Sequence, residues 1–135
     1  MLESSAYMKL DLSSLKKAVQ SLELALNQPK DEFIRDSVIQ RFEYTYELCW
    51  KFLARHLEQD IGSANVDRLL RKDLYRIGAE KGLISDAETW FQYHTARNLT
   101  SHSYNAATAE DVYTVAKRFI VDAQALLSKL IAVYE

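Results

Sequence analysis

Along most of this chain apolar side chains recur every three or four positions, the spacing that lines one face of an α-helix. The first stripe is Leu12, Leu15, Val19, Leu22 and Leu26, with Lys16, Lys17, Gln20 and Glu23 between. Asn27-Gln28-Pro29-Lys30 ends it, because proline disfavours the α conformation in the residue before it, and Asp31 can cap the next helix. From Asp31 to about Asp60 the stripe Ile34, Val38, Phe42, Tyr46, Cys49, Leu53 and Leu57 meets no breaker. One long helix is predicted there, roughly 40 Å at 1.5 Å per residue. Glu43 and Glu47 lie beside its aromatic residues, and Glu47 stands one turn from Lys51, so both read first as structural ion-pair partners.

Gly62-Ser63-Ala64-Asn65 reads as a turn, with a helix resuming near Asp67 and Leu69, Leu70, Leu74 and Ile77 inward. Arg68, Lys72 and Arg76 then share its outer face, a stripe that suits either solvent or a run of phosphates. Lys81-Gly82 breaks this helix, and Ser85-Asp86-Ala87-Glu88 has the S-x-x-E form that caps another. That helix carries Trp90, Phe91, Tyr93, Ala96 and Leu99 and is expected to dissolve from Thr100, where hydroxyl and amide side chains compete for backbone hydrogen bonds. Thr108-Ala109-Glu110-Asp111 is expected to cap a final helix with the stripe Val112, Ala116, Phe119, Ala123, Leu126, Leu130 and Val133. The pattern predicts an all-α fold. Its form is an antiparallel four-helix bundle with a broken third helix, residues 1–135 making one domain.

Composition sharpens this without changing it. Three Gly and one Pro in 135 residues leave too little punctuation for the turns of a sandwich or barrel. Seventeen basic against nineteen acidic side chains give a net charge of −2, so no global attraction pulls a polyanion in and any nucleic-acid contact has to be local. The single Cys49, between Leu48 and Trp50, reads as a small core residue, since a reactive thiol needs an electropositive, exposed setting. Met1–Leu12 lacks the layout of a signal peptide, and no window approaches roughly 18 uncharged apolar residues. A cytoplasmic protein without membrane contact is expected.

Metal chemistry finds no foothold in the pattern. None of His56, His94 or His102 has Glu three residues before it, and neither H-x-x-x-H nor C-x-x-C occurs. Gly62-Ser63 stands without a phosphate-binding loop or paired aspartates for Mg²⁺, so the chain does not read as a polymerising nucleotidyltransferase and no cofactor is expected.

The run Arg97-Asn98-Leu99-Thr100-Ser101-His102-Ser103-Tyr104 is different. It holds a guanidinium, an imidazole and a phenol. At about 100° per residue, Arg97 and Tyr104 fall within about 20° of each other on a continuous helix, whereas His102 is about 140° from Arg97. Fraying at Thr100–Ser101 would let His102 swing to the same side. The imidazole can move protons near neutral pH, and the guanidinium matches charge growing on phosphate oxygens. RNA, with its own 2′-hydroxyl, could be cleaved this way without a metal. The same spacing also fits Arg97 in a surface ion pair, His102 at a helix end and Tyr104 packed over the bundle. His56 and His94 have no comparable company in the sequence.

R-N-L-T-S-H-S-Y resembles the R-x4-H-x-Y motif of HEPN-domain proteins, the small helical partners encoded with minimal nucleotidyltransferases. Arg41-Phe42-Glu43-Tyr44-Thr45-Tyr46-Glu47-Leu48-Cys49-Trp50-Lys51 resembles that family's second-helix run, and Gly82-Leu83-Ile84 followed by Trp90 resembles the approach to its motif. The resemblance covers essentially the whole chain and implies two functions of different class. One is a homodimeric ribonuclease toxin with Arg97 and His102 as catalytic residues in a cleft shared by both subunits. A cognate nucleotidyltransferase antitoxin would neutralise it by adding AMP to Tyr104. The other is a non-catalytic substrate-binding subunit of a two-component nucleotidyltransferase. The intact R-x4-H favours the enzyme.

Overall fold

The computed structural model describes residues 8–102 and 105–135, apart from the side chains of Ser101 and His102. These residues form six helices and no strand: α1 (Ser13–Leu26), α2 (Glu32–Ile61), α3 (Ser63–Asp67), α4 (Arg71–Glu80), α5 (Ala87–His102) and α6 (Ala106–Tyr134). The all-α prediction holds. The long α2 touches every other helix, α6 closes over α1 and α5, and α4 lies against α5 and α2. No helix among the described residues is long and apolar enough to cross a membrane.

The predicted stripes of α1, α2 and α6 form the core: Leu15, Leu22, Phe42, Leu53, Phe119 and Leu126 are fully buried. At the centre, the Phe119 ring meets the edges or faces of Phe42, Tyr93 and Trp90 with centroids 5.1, 5.1 and 5.8 Å away and near-perpendicular planes. Such edge-to-face contacts add to the burial of three large rings. They fix α5 against α2 and α6, and α5 carries the R-x4-H run. Cys49 is fully buried, and burial pushes its thiol far above the ordinary range, so it is a packing residue.

Local details depart from expectation where capping chemistry had competing solutions. Asp31 caps α2 as predicted, its Oδ1 accepting from the Ile34 N–H at 2.8 Å. For α5 the cap is Asp86, not Ser85: its carboxylate accepts from the Glu88 and Thr89 N–H groups and the Thr89 hydroxyl. Asn105 caps α6 through the Thr108 N–H at 2.9 Å, so that helix starts earlier than the expected Thr108 cap. The backbone of α5 stays helical through His102, so the unwinding expected from Thr100 does not occur there.

The segment after α2 is where the pattern misleads most. Gly62, with φ 90°, turns the chain into the short α3 rather than a plain turn, and Leu69–Leu70 are not helical. Arg68 ends α3, so it does not share a helix face with Lys72 and Arg76. Leu70, expected inward, is 73% exposed, as is Leu99 to a lesser degree. Gly78 brings α4 against α2: a Cβ there would stand 3.2 Å from Leu53 Cδ2.

Candidate functional site

Arg97 lies on α5 and reaches toward α2, where Glu43 and Glu47 stand one turn apart. Its Nη1 is 3.8 Å from Glu43 Oε2 and its Nε is 3.6 Å from Glu47 Oε1. The two carboxylates expected to serve within their own helix therefore face the guanidinium of another. Glu47 does not pair with Lys51; its Oε2 accepts the Trp50 indole N–H at 3.1 Å. Thr100 completes the local set, its hydroxyl donating to the Arg97 carbonyl at 2.7 Å. The arginine is only about a quarter exposed, so charge and packing both constrain it.

The catalytic partner proposed from sequence, the His102 side chain, and the modification candidate Tyr104 lie outside the described residues. Of the stripe Arg68, Lys72 and Arg76, two members are engaged. Lys72 sits over the Phe91 ring, 4.5 Å from its centroid, and Arg76 pairs with Asp73 at 3.3 Å. With Arg68 on a different element, the three do not form a single phosphate-spaced row. Among the described residues no cluster of three or more His, Cys, Asp or Glu could hold a metal ion.

A second cluster, which the sequence did not announce, lies one turn back along α5. Tyr46 of α2 and Tyr75 of α4 share a hydrogen bond between their hydroxyls. Arg71 Nη1 donates to the Tyr46 hydroxyl at 3.0 Å, and His94 Nδ1 lies 3.1 Å from the same oxygen and 3.4 Å from Arg71 Nη1. On the other side of the ring, His94 Nε2 lies 3.3 Å from Asn98 Nδ2, so both ring nitrogens face N–H donors, a setting that suits the neutral, acceptor-bearing imidazole. Burial, then the positive Arg71, hold His94 below the ordinary histidine range against the opposing pull of Glu47. Burial likewise raises both tyrosines. The network is neutral apart from Arg71, whose guanidinium carbon lies 3.7 Å from the centre of the Trp50 ring. One sequence signal was available, the four-residue step from His94 to Asn98; the rest depends on contacts more than twenty residues apart.

Arg71 and His94 of this network border an open groove of about 560 Å³ between α2, the α3–α4 connection and α5, lined also by Trp50, Lys51, Arg55 and Leu70. His56, the other histidine set aside on sequence grounds, is structural: its Nδ1 lies 2.7 Å from the Tyr134 hydroxyl and ties the end of α6 to α2.

Other proteins share this architecture. The family described as nucleotidyltransferase substrate binding protein like matches residues 10–132. A Haemophilus influenzae protein named probable ribonuclease HepT is 34% identical over 135 residues, spanning 90% of this chain and 92% of its own. A solved Haemophilus influenzae structure, described as revealing the fold of a substrate binding domain of a nucleotidyltransferase, matches with a TM-score of 0.80 at 32% identity, covering 89% of this chain and 98% of that one. A crystal structure of a Thermus thermophilus protein matches with a TM-score of 0.73 at 27% identity, covering 86% of this chain and 98% of that one.

Proposed function

The chain belongs to the family of nucleotidyltransferase substrate binding protein-like proteins, and from that membership we propose that it is a metal-independent endoribonuclease, the toxin of a pair whose antitoxin is a minimal nucleotidyltransferase. In this reading the RNA 2′-hydroxyl attacks the adjacent phosphorus and the bond to the 5′-oxygen of the next nucleotide breaks, leaving a 2′,3′-cyclic phosphate and a 5′-hydroxyl. His102 takes the proton from the nucleophile or returns one to the leaving oxygen. In a homodimer the two copies of His102 divide those tasks across one cleft. Arg97 faces the phosphate oxygens as charge builds on them.

The observation that carries this reading is the setting of Arg97. A guanidinium held between two carboxylates at a helix–helix contact is oriented before substrate arrives, the condition under which a charge is worth most to a transition state. The name of the 34% identical relative supports the same class. AMP on Tyr104 would place a phosphate and a base beside the motif and block RNA entry, which makes it the fitting point of control.

A second reading, a non-catalytic substrate-binding subunit, draws on the description of the structure matched at TM-score 0.80. Cleavage of total RNA by the purified protein in EDTA separates the two. The nuclease reading expects cleavage that Arg97→Ala or His102→Ala reduces ~10²-fold or more while circular dichroism is unchanged. Loss of cleavage on chelation, or equal cleavage by the variants, overturns it. The homodimer is tested by sedimentation at micromolar concentration, where a pure monomer would overturn the shared cleft.

A further inference from the structure

We infer that the groove between Trp50, Arg71 and His94 is a subsite for a single-stranded RNA nucleotide flanking the scissile bond. The inference rests on the nuclease reading for the position of that bond, and on the groove itself for its ligand. Two observations point to a nucleotide. The first is the stacked pair of Trp50 and Arg71, an indole covered by a guanidinium at 3.7 Å, which gives a base a flat polarisable surface to extend. The second is charge. Lys51, Arg55 and Arg71 line the groove, and none has a carboxylate within ion-pairing distance among the described residues, although Glu58 and Asp67 also border it.

The Arg97 site needs such a neighbour. Glu43 and Glu47 against one guanidinium leave a local charge of about −1, which repels a phosphate chain until cations beside it compensate. The groove supplies them, and one of its lining residues adjoins the Arg97 site along α5. His94 precedes Arg97 by three residues, about one helical turn, comparable to the step between successive nucleotides. Glu47 joins the two places physically, since one carboxylate touches both the Trp50 indole and the Arg97 guanidinium. The volume of about 560 Å³ falls within the ~300–1,000 Å³ common for ligand sites.

The test uses the full-length wild-type protein and 12-nucleotide oligo(A) and oligo(U) whose 2′-oxygens are methylated, so that no internal nucleophile is present. Trp90 is buried in the core and Trp50 borders the groove, so intrinsic fluorescence quenched by the oligonucleotide reports Trp50. Quenching is expected, and is lost in Trp50→Phe while binding by anisotropy persists. Trp50→Ala is expected to weaken binding roughly 5- to 100-fold. Lys51→Ala with Arg55→Ala, both exposed and safe for the fold, is expected to flatten the slope of log Kd against log salt by about 1.4, or about 0.7 for each lost phosphate contact.

Unchanged affinity and salt slope in these variants overturns the groove even where unmodified RNA is still cut. RNA binding that depends on the groove, without cleavage of unmodified RNA, supports the subsite and overturns the nuclease reading. Quenching of Trp50 by 5′-AMP alone at the same affinity as the 12-mers overturns the RNA assignment in favour of a mononucleotide site.

Discussion

Glu47 is shared between Trp50 and Arg97: Oε2 accepts the indole N–H at 3.1 Å while Oε1 faces the guanidinium Nε at 3.6 Å. Glu47→Gln keeps an oxygen for the indole and removes the charge that orients Arg97. The pair is partly exposed, so the stability change should stay within about 1 kcal/mol. The expected kinetic signature is split, with kcat for RNA cleavage falling about tenfold, or about 1.4 kcal/mol of barrier. KM should hold or fall, because a negative charge next to the RNA is gone. Steady-state cleavage with thermal melts checks this; an unchanged kcat would remove Glu47 from any role beyond packing.

Tyr46→Phe should destabilise the fold. The lost hydroxyl serves Tyr75, Arg71 and His94 at once, and leaving half-buried donors and acceptors without it costs about 1–3 kcal/mol. Tyr75→Phe should cost a similar amount, and the double variant less than the sum, since two rings then face each other without a stranded hydroxyl. Urea unfolding of the three variants measures the coupling. Additive losses would mean that the two hydroxyls do not act as a unit.

Acid should weaken the protein well before its carboxylates titrate. Burial is the leading cause that depresses both His56 and His94; Asp60 opposes it at His56 and Lys81 assists, while Arg71 assists at His94. In the unfolded chain these rings protonate near pH 6.5, in the folded chain only at lower pH. Below about 6.5 the unfolded state therefore binds more protons, and stability falls as pH falls. The urea midpoint should be level from pH 8 to 7 and decline from about 6.5 downward. His94→Gln should flatten part of that decline. A profile level to pH 5 would contradict the assigned neutral rings.

Tyr104→Phe should leave cleavage largely intact yet escape neutralisation by a cognate nucleotidyltransferase supplied with ATP and Mg²⁺. In the sequence around it, Ser103, Asn105, Ala106 and Ala107 are small or polar and set no bulky side chain beside the phenol in the chain. Intact-mass and peptide mass spectrometry of the co-expressed pair tests this. A fully neutralised complex carrying an unmodified Tyr104 would show inhibition by binding alone.

The helical stripes were legible because burial obeys the 3.6-residue period: Leu12 to Leu22, Val38 to Leu57 and Val112 to Leu130 all point into the core. What failed was local. Leu69 and Leu70 fit a helical pattern, yet the chain breaks there, because apolar residues in a connection carry the same letters as those in a helix. Asp86 and Asn105 displaced the expected caps since several neighbouring side chains could each serve. The R-x4-H run was visible from its residues, but the carboxylates around Arg97 were not, because Glu43 and Glu47 are some fifty residues away and have an ordinary use within their own helix. The apolar stripes of the second and last helices are buried within the chain, leaving separate exposed residues such as Phe33 and Val121.

The burial of α5 is lopsided. Trp90, Tyr93 and Ala96 lock it into the core as far as Ala96, whereas from Arg97 to Thr100 no side chain is fully enclosed. The helix is a bracket bolted at one end, and Arg97, proposed above to act in catalysis, stands on the overhang. Survivors selected from cells expressing this chain should therefore fall into two kinds. Under the proposed nuclease function, substitutions at the bolts, such as Trp90, should abolish activity by dissolving the protein, and those on the overhang, such as Arg97, should leave it abundant, folded and still able to meet a cognate antitoxin.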